Sequence, residues 1–305
     1  MSGAQVTHVT FASGATRGDA TVVRVEPHER GTVVVVDATP FHPIDHTWPD
    51  QPGDSGTIRA RSDGGLDDGG AGGSDGARVD SAAIIEAVMA AVSDDGVMAV
   101  GPDIPVKRGE AGWTWLVGHL VADAAPWLEP GAAVSLEVDS DRRGGLSRGH
   151  TACHLASLAL DLAVADLWRK DVGEDALGNP DFEGRANQSS RIHEDGAVDE
   201  YRLGKSLRRA GFDTETFATT LAEREAAINA QLDTWVASGA ASSVETDGST
   251  IVDRRRWRCS LPEGDAVIPC GGTHVRSLGE FASISVSLEM PDPQTLVMTT
   301  TAVSA

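Results

Sequence analysis

The sequence predicts an α+β fold in which a small N-terminal β-barrel-like domain precedes a larger α+β domain. Near the start, residues 21–26 and 32–37 are β-branched runs separated by a Pro/Gly-containing turn, which is typical of a hairpin. A helix-like stretch occupies residues 147–170, and strand-like runs follow at 283–288 and 295–300, where they could close a sheet. The length of 305 residues allows two ordinary domains, which we place at 1–139 and 140–305.

The elements of the first domain follow the hairpin in order. Residues 62–77 are almost wholly Gly, Asp and Ser, which predicts a flexible insertion. Residues 81–92 consist of helix-forming residues and predict a helix that packs on the barrel. Residues 134–138 alternate as a strand does, and the glycines that end the run 139–145 predict a turn before the next helix.

In the second domain, the helix predicted at 147–170 carries Leu155, Leu158 and Leu162 at inward-packing spacing, with His150 and His154 near its start. An irregular Gly/Asn/Pro stretch at 178–187 precedes a second helical segment at about 214–236, and the two final strands complete the domain.

Composition narrows the class of protein. The hydrophobic fraction of 40% is enough for a folded core. No apolar run is long enough to cross a bilayer and no signal peptide begins the chain, so we expect a cytoplasmic protein without a membrane partner. Three cysteines do not make a disulfide framework, and Cys259 is expected to be structural. No P-loop or dinucleotide glycine motif is visible, so the chain is not expected to activate amino acids itself.

Two pairs of metal-binding residue types occur at the same spacing: His150-Thr-Ala-Cys-His154 and Cys270-Gly-Gly-Thr-His274. Residues four apart on a helix lie on one face, so the first pair can aim both imidazoles at one point and the second pair can complete a tetrahedron. Three nitrogens and one thiolate suit Zn²⁺. A single H-x-x-x-H among nine histidines is more often an ordinary feature of the surface or core, but the second pair makes that interpretation harder to hold.

These motifs resemble a known family. The strings around His150–His154 and from Pro269 to Val275 resemble the zinc motifs of the editing domain of alanyl-tRNA synthetases and of the free-standing AlaX proteins. Residues 36–43, 51–58 and 131–143 look like the family's amino-terminal segment and its link to the catalytic domain, so the resemblance touches both ends of the region from about 20 to 290.

The resemblance implies an activity: hydrolysis of the ester of mischarged tRNA-Ala carrying serine or glycine, with Zn²⁺ as cofactor and mischarged tRNA as partner. Zinc can lower the pKa of a bound water or polarise the carbonyl, but only if one coordination position is open. We expect His150, His154 and Cys270 as firm ligands and His274 as the fourth, with a permanent and a labile bond to His274 as the two alternatives. Gly271, Gly272 and Thr273 are candidates for substrate or oxyanion contacts, with a tight turn as the alternative.

Other features leave alternatives open. Where the longer AlaX proteins have a glycine-rich stretch, residues 44–50 read Ile-Asp-His-Thr-Trp-Pro-Asp, so the amino acid that is removed stays undetermined. The net charge of −21 opposes nucleic-acid binding. Two arginine clusters flank the metal motifs and either contact tRNA phosphates or pair with the surplus carboxylates: Arg142, Arg143 and Arg148, then Arg254, Arg255, Arg256 and Arg258.

No carboxylate stands at motif spacing to act as a general base, and His42, His46 and His193 are candidates by residue type alone. Two further hypotheses therefore remain beside trans-editing. One is a zinc hydrolase that acts on a small ester or amide, and the other is a binding module with a structural zinc. The oligomeric state is not determined by the sequence.

Overall fold

The computed structural model describes residues 6–61, 80–122 and 125–305, and it shows a mixed α/β protein with one large sheet and few helices. The predicted insertion at 62–77 lies outside the described residues. The chain forms two compact units. The N-terminal unit takes the chain up to Trp48, Gly53–Ser140 and Gly248–Asp253, whereas the C-terminal unit takes Pro49–Pro52, Asp141–Asp247 and Arg254–Ala305.

The N-terminal unit is built from strands. They are β1 (His8–Val9), β2 (Arg17–His28), β3 (Gly31–Val36), β4 (Ala38–Thr39), β5 (Gly56–Ala60), β6 (Ser81–Ser93), β7 (Met98–Val100), β8 (Trp113–Val121) and β9 (Ala133–Val138). Seven of them form one sheet in the order β5-β9-β2-β3-β8-β6-β7, and β5 also pairs with β6. Because β5 pairs with β6, the six strands from β5 to β6 in this order form a closed ring of paired strands, and β7 pairs with β6 outside the ring.

The hairpin predicted near the start is confirmed, since β2 and β3 pair in antiparallel register from Val22↔Val36 to His28↔Gly31. Val34 and Val36 enter one apolar cluster and Val33 enters another, so that both faces of β3 are buried. This explains the unbroken run of valines, because a strand covered on both faces needs no polar alternation.

The helix predicted at residues 81–92 is wrong, because these residues form β6. This strand pairs antiparallel with β8 along its length and with β5 at its start. Its side chains alternate, with Met89 and Ala91 in one apolar cluster and Ala90 and Val92 in the other. Pairing on both sides has overridden the helix propensity of an alanine-rich segment.

The C-terminal unit contains the α-helices of the described residues, apart from Ser140 at the start of α1, and two sheets. In chain order its elements are α1 (Ser140–Ala163), α2 (Glu183–Ala186), β10 (Asn187–His193), β11 (Gly196–Arg202), α3 (Lys205–Ala210), α4 (Thr214–Thr219), α5 (Leu221–Ser238), β12 (Ser242–Thr246), β13 (Arg255–Leu261), β14 (Gly264–Pro269), β15 (Phe281–Asp292) and β16 (Thr295–Ser304). One antiparallel sheet has the order β10-β11-β16-β15 and the other the order β12-β13-β14.

The helix expected at 147–170 is present but displaced, since α1 starts at Ser140 and ends at Ala163. The turn predicted at 139–145 is wrong, because Gly144 and Gly145 lie inside the helix. A Cβ on Gly145 would lie 2.9 Å from the Glu194 side chain, and one on Gly149 would lie 2.3 Å from the His193 carbonyl oxygen. These glycines therefore let α1 lie against the β10–β11 turn. His150 and His154 consequently occupy the middle of α1.

The other elements predicted for this unit are confirmed: the helical segment at 214–236 is divided into α4 and α5, and both final strands form. Helix α5 covers the edge strand β15. Asn229 accepts from the Val286 N–H at 2.8 Å and donates to its carbonyl at 3.0 Å, and Glu225 accepts from the Leu288 N–H at 2.7 Å. Side chains thus satisfy an edge that would otherwise be open to pairing. Within the described ranges, no helix has the length and apolarity required to cross a membrane.

Candidate metal centre

Helix α1 provides the first two residues of the site. His150 and His154 are four residues apart on a regular helix, so they project from one face. Their ring centroids are 4.8 Å apart. The neighbouring Gly149 brings this part of α1 against the β10–β11 hairpin, which fixes the helix in the C-terminal unit. The two imidazoles are therefore held by packed secondary structure.

The loop after β14 provides the other two residues. Cys270 follows directly on Pro269, the last residue of β14, and His274 stands four positions later. Cys270 Sγ lies 3.4 Å from His150 Nε2 and 3.3 Å from His274 Nε2. The ligand atoms of the four predicted metal residues all lie within 4.8 Å of one another. The structure thus brings both sequence motifs together in one cluster that could hold a metal ion.

The spacing suits a zinc-sized ion. Bonds of about 2.3 Å to sulfur and 2.0–2.1 Å to nitrogen imply tetrahedral sulfur–nitrogen edges of roughly 3.5–3.6 Å, and the two distances from Cys270 Sγ, 3.4 and 3.3 Å, lie within about 0.3 Å of that value. His154 Nε2 is buried and has no hydrogen-bond partner within the described structure. A buried nitrogen without a partner is costly, and a metal ion would satisfy it.

Hydrogen bonds from the protein set the tautomers of two imidazoles. Gln51 Oε1 can only accept, and it lies 2.6 Å from His150 Nδ1, which places the proton on Nδ1 and the lone pair on Nε2. The Thr151 hydroxyl donates to the Ser147 carbonyl, so its oxygen accepts from His274 Nδ1 at 3.1 Å. In both rings the nitrogen that faces Cys270 is therefore the one that carries the lone pair a metal ion requires.

Thr273 connects Gln51, which orients His150, with Ser147 on α1. Its N–H donates to Gln51 Oε1 at 3.1 Å, and its hydroxyl accepts from Gln51 Nε2 at 2.9 Å. The Ser147 hydroxyl donates to the same Thr273 oxygen at 2.9 Å. Because Gln51 and Thr273 are both buried, this network holds the 270–274 loop against α1. Gln51 lies in the segment that resembled the editing proteins, but its support of His150 was not predicted.

Aromatic packing closes one side of the cluster. The Trp257 ring centroid lies 5.2 Å from that of His154 and 5.6 Å from that of His274. Trp257 is fully buried, and its Nε1 donates to the Ser242 hydroxyl at 2.9 Å. Trp257 therefore packs in the core behind two of the four candidate ligands.

Burial controls the protonation of the site. Loss of solvation lowers the pKa of His154 to about 4, so this imidazole is neutral and able to coordinate at neutral pH. Burial raises the pKa of the Cys270 thiol to about 12, although the Gly272 N–H opposes this shift. In the absence of a cation the thiol keeps its proton. A bound metal ion reverses this preference, because coordinated thiols are deprotonated.

One carboxylate that was not predicted lies close to the cluster. Asp50 Oδ2 is 3.9 Å from His150 Nε2, and about a quarter of the Asp50 side chain is exposed. The Asp50 carbonyl accepts from the Ile192 N–H at 2.8 Å, which ties the short 49–52 segment to strand β10. No motif spacing identified Asp50, because it is a hundred residues away from His150 in the sequence.

The two glycines of the 270–274 loop differ in their surroundings. A Cβ on Gly272 would lie 2.3 Å from two atoms of the His150 ring and 2.6 Å from Gln51 Oε1, whereas a Cβ on Gly271 would meet nothing within 4 Å. The Gly272 N–H points at Cys270 Sγ at 3.5 Å, and the Thr273 N–H is bound by Gln51. Their suggested oxyanion contacts therefore stay a prediction, and Gly272 is explained by close packing.

The histidines that were candidates by type lie elsewhere. His42 is buried in the N-terminal unit, edge-on to Phe11 at 5.1 Å, and His46 is parallel to Trp115 in the same unit. His193 is exposed in the C-terminal unit, with Nδ1 3.0 Å from the Glu194 carbonyl. None of the three belongs to the four-residue cluster.

Most of the arginines proposed to bind tRNA are paired with carboxylates. Arg142 and Arg148 pair with Glu194 and Asp195, and Arg256 and Arg258 share Glu245. Further bonds of 2.8 Å join the last two to Asp247 and Asp265. Arg143 and Arg255 are buried, and Arg254 is exposed. This pattern agrees with the alternative that these arginines offset the excess of acidic residues.

The chain matches no known protein-family model.

Proposed function

We propose that this chain is a zinc-dependent hydrolase that deacylates mischarged tRNA-Ala, with a seryl or glycyl ester as substrate. The observation that carries the proposal is the convergence of one sulfur and three imidazole donors in a site whose tautomers are already set for coordination. In this proposal the closed strand order of the N-terminal unit corresponds to the barrel-like domain, and the C-terminal unit is the editing domain, in a cytoplasmic protein.

All four residues of the cluster would hold a zinc ion, and the ion would supply Lewis acidity for hydrolysis where substrate or water displaces His274 as the labile fourth ligand. The protein residues orient the ligands, exclude water and transfer protons. Gln51 and Thr151 orient two imidazoles, and Trp257 excludes water from one side of the cluster. Asp50 is the carboxylate nearest to His150 and is partly open to solvent, so we assign to it the proton transfer to and from the attacking water.

A second candidate function is favoured by the charge of the protein. Four of the seven candidate arginines are held by carboxylates, and the net charge is −21. A nucleic-acid partner needs a basic surface, whereas a small ester does not. A zinc hydrolase of small esters is therefore the alternative that these ion pairs support.

Deacylation assays separate the candidates. The zinc-loaded full chain is mixed with Ser-tRNA-Ala, with Ala-tRNA-Ala, and with a small ester such as p-nitrophenyl acetate. Trans-editing predicts selective loss of the seryl ester, its abolition in His154→Ala and its retention in His193→Ala, an exposed histidine outside the cluster. Turnover of the small ester alone supports the alternative. Failure of a zinc-loaded sample on every ester would contradict both and leave a structural zinc.

A further inference from the structure

Positively charged residues gather around the short helix α3 in the C-terminal unit. Five of them form what we call the α3 basic surface: Lys170, Arg202, Lys205, Arg208 and Arg209. Four stand in one stretch of the chain, and Lys170 joins them because its Nζ donates to the Arg209 carbonyl at 2.8 Å. All five residues are exposed. The chain has three lysines, so two of them lie on this surface.

The α3 basic surface differs from the rest of the chain in its charge balance. The protein has 46 acidic residues, yet the segment 201–212 contains none. Arginines elsewhere commonly meet a carboxylate, as Arg224 meets Asp166 at 2.6 Å. Among the described residues, no carboxylate lies within ion-pair distance of the five basic side chains. Asp171 and Asp213, which border this surface in the sequence, accept hydrogen bonds from other groups. The positive charge here therefore has no counterpart in the described structure.

The helix dipole explains only part of this surface. Positive charge in the last turn of a helix is favourable, which accounts for Arg208 and Arg209, and Arg208 also donates to the Leu203 carbonyl at 3.0 Å. Lys205 is the first residue of α3, where positive charge is unfavourable, and the first turn has no acidic residue. Arg202 precedes this end of the helix. The charge at the start of α3 therefore opposes helix stability, and an anionic partner would offset that cost.

The arrangement suits a phosphate backbone better than a lipid surface. Arg208 and Arg209 are three and four residues beyond Lys205, so all three lie on one side of α3, with Cβ atoms about 5–6 Å from that of Lys205. Closely spaced cations of this kind can meet neighbouring phosphates of one strand. A helix that lies on a membrane also exposes large apolar side chains, whereas Leu207 of α3 is buried in the core.

The α3 basic surface is separate from the metal centre. In the described part of the chain, none of its residues is hydrogen-bonded or ion-paired to a member of the His/Cys cluster. Helix α1 ends at Ala163, nine residues past His154, which is about 14 Å along the helix axis, and the chain then continues to Lys170. A small ester in the metal centre presents no charge to such a surface. A tRNA does, because it carries phosphates at a distance from its reacting ester.

We propose that the α3 basic surface binds the phosphate backbone of the tRNA whose ester the metal centre hydrolyses. The identity of the tRNA rests on the proposed function, whereas the binding of RNA phosphates rests on the charge and placement of the surface. The arginines near the metal motifs serve this purpose less well, since Arg148 and Arg258 are held by Asp195 and Glu245.

Binding of unacylated tRNA-Ala tests the surface without requiring hydrolysis. Fluorescence anisotropy of the labelled tRNA gives the affinity of the zinc-loaded full chain over a salt series. We expect Lys205→Gln and Arg209→Gln each to weaken binding about five- to eightfold at about 0.1 M salt, and to lower the slope of log affinity against log salt by about 0.7–0.9, the contribution of one phosphate contact. Lys205→Arg keeps the charge and should bind as the wild type does. Lys107→Gln, at the exposed lysine of the N-terminal unit, is the matched control and should change neither quantity. Thermal unfolding checks that each variant is folded.

Unchanged affinity of both Lys205→Gln and Arg209→Gln, or equal weakening by Lys107→Gln, would overturn the proposal. Binding to phosphatidylserine-containing vesicles that depends on Lys205, without binding to tRNA, would overturn it in favour of a membrane surface. Hydrolysis of Ser-tRNA-Ala separates this proposal from the proposed function. If tRNA binding depends on Lys205 but the seryl ester is not cleaved, the hydrolase proposal fails and the RNA surface stands. If the ester is cleaved with equal kcat/KM by the wild type and by the double variant Lys205→Gln/Arg209→Gln, the hydrolase stands and the surface proposal fails.

Discussion

Alanine at Gly272 should disrupt the metal centre, while alanine at Gly271 should not. A Cβ on Gly272 would lie 2.3 Å from Cε1 and Nδ1 of His150, about 1.1 Å short of ordinary contact, which begins at 3.4 Å. Either the His150 ring or the loop must move by roughly 1 Å, and metal–ligand distances tolerate only about 0.2 Å. The same Cβ would lie 2.6 Å from Gln51 Oε1, so the bond that fixes the His150 tautomer would be strained as well.

Disturbance of a residue that orients a ligand typically costs about 10–100-fold in metal affinity, or about 1.4–2.7 kcal/mol, and we expect at least this loss for Gly272→Ala. Gly271→Ala adds the same methyl group one residue earlier, where nothing lies within 4 Å, and should bind zinc as the wild type does. The assay is competition for zinc with a chromophoric chelator, with thermal unfolding as a check of folding. Equal affinities for the two variants would refute the packing argument.

Three further predictions concern the hydrogen bond from Gln51 to His150 and the protonation of Cys270 and His119. Gln51→Leu removes the acceptor of His150 Nδ1 and of the Thr273 N–H, and should weaken zinc binding by about 10–100-fold in the same competition assay. Gln188→Leu, at an exposed position, is the control, and equal zinc affinities of the two variants would contradict the tautomer argument. Because the pKa of the Cys270 thiol is raised to about 12 and that of His154 is lowered to about 4, zinc binding at neutral pH should displace the Cys270 proton and none from His154, so that apparent affinity rises with pH. A pH-independent affinity would show that Cys270 is not a ligand. His119 is buried between Thr39 and the Val34 carbonyl, and desolvation lowers its pKa to about 4, below the 6.5 of the unfolded chain, so the unfolded state binds the extra proton between these values. The contribution of neutral His119 to the free energy of unfolding is therefore complete above pH 6.5 and is lost as the pH falls toward 4, by about 1.4 kcal/mol per pH unit. In denaturant unfolding between these pH values, the free energy of unfolding of His119→Gln should change with pH less steeply than that of the wild type by this amount. Identical pH dependence of the two proteins would contradict this.

The sequence identified the four residues of the candidate metal site because the ligand types and their spacing are themselves the chemical signal. His150 and His154 are brought together by the helix alone, and Cys270 and His274 by a short loop. The hydrogen bond of Gln51 to His150 and the position of Asp50 beside His150 could not be predicted from spacing. Their contacts depend on where a four-residue segment meets α1 and β10, which no local pattern specifies.

The errors in the fold have a related cause. We predicted a helix for the residues of β6 from local propensity, because alanine and methionine favour helices in the absence of other contacts. The decisive contacts were the antiparallel partners β8 and β5, which are distant in sequence. Gly144 and Gly145 likewise suggested a turn, but both lie inside α1, where Gly145 packs closely against Glu194. The first of the two terminal strands was predicted correctly because residues 284–289 of β15 alternate between buried and exposed positions.

The central claim is that His150, His154, Cys270 and His274 together bind one zinc ion. Metal analysis combined with X-ray absorption at the zinc edge tests it most directly on the purified full chain. The account predicts one zinc per chain with one sulfur at about 2.3 Å and nitrogen ligands at about 2.0–2.1 Å, and loss of the sulfur signal in Cys270→Ala. A zinc surrounded only by oxygen and nitrogen, or full zinc content with unchanged coordination in Cys270→Ala, would contradict it.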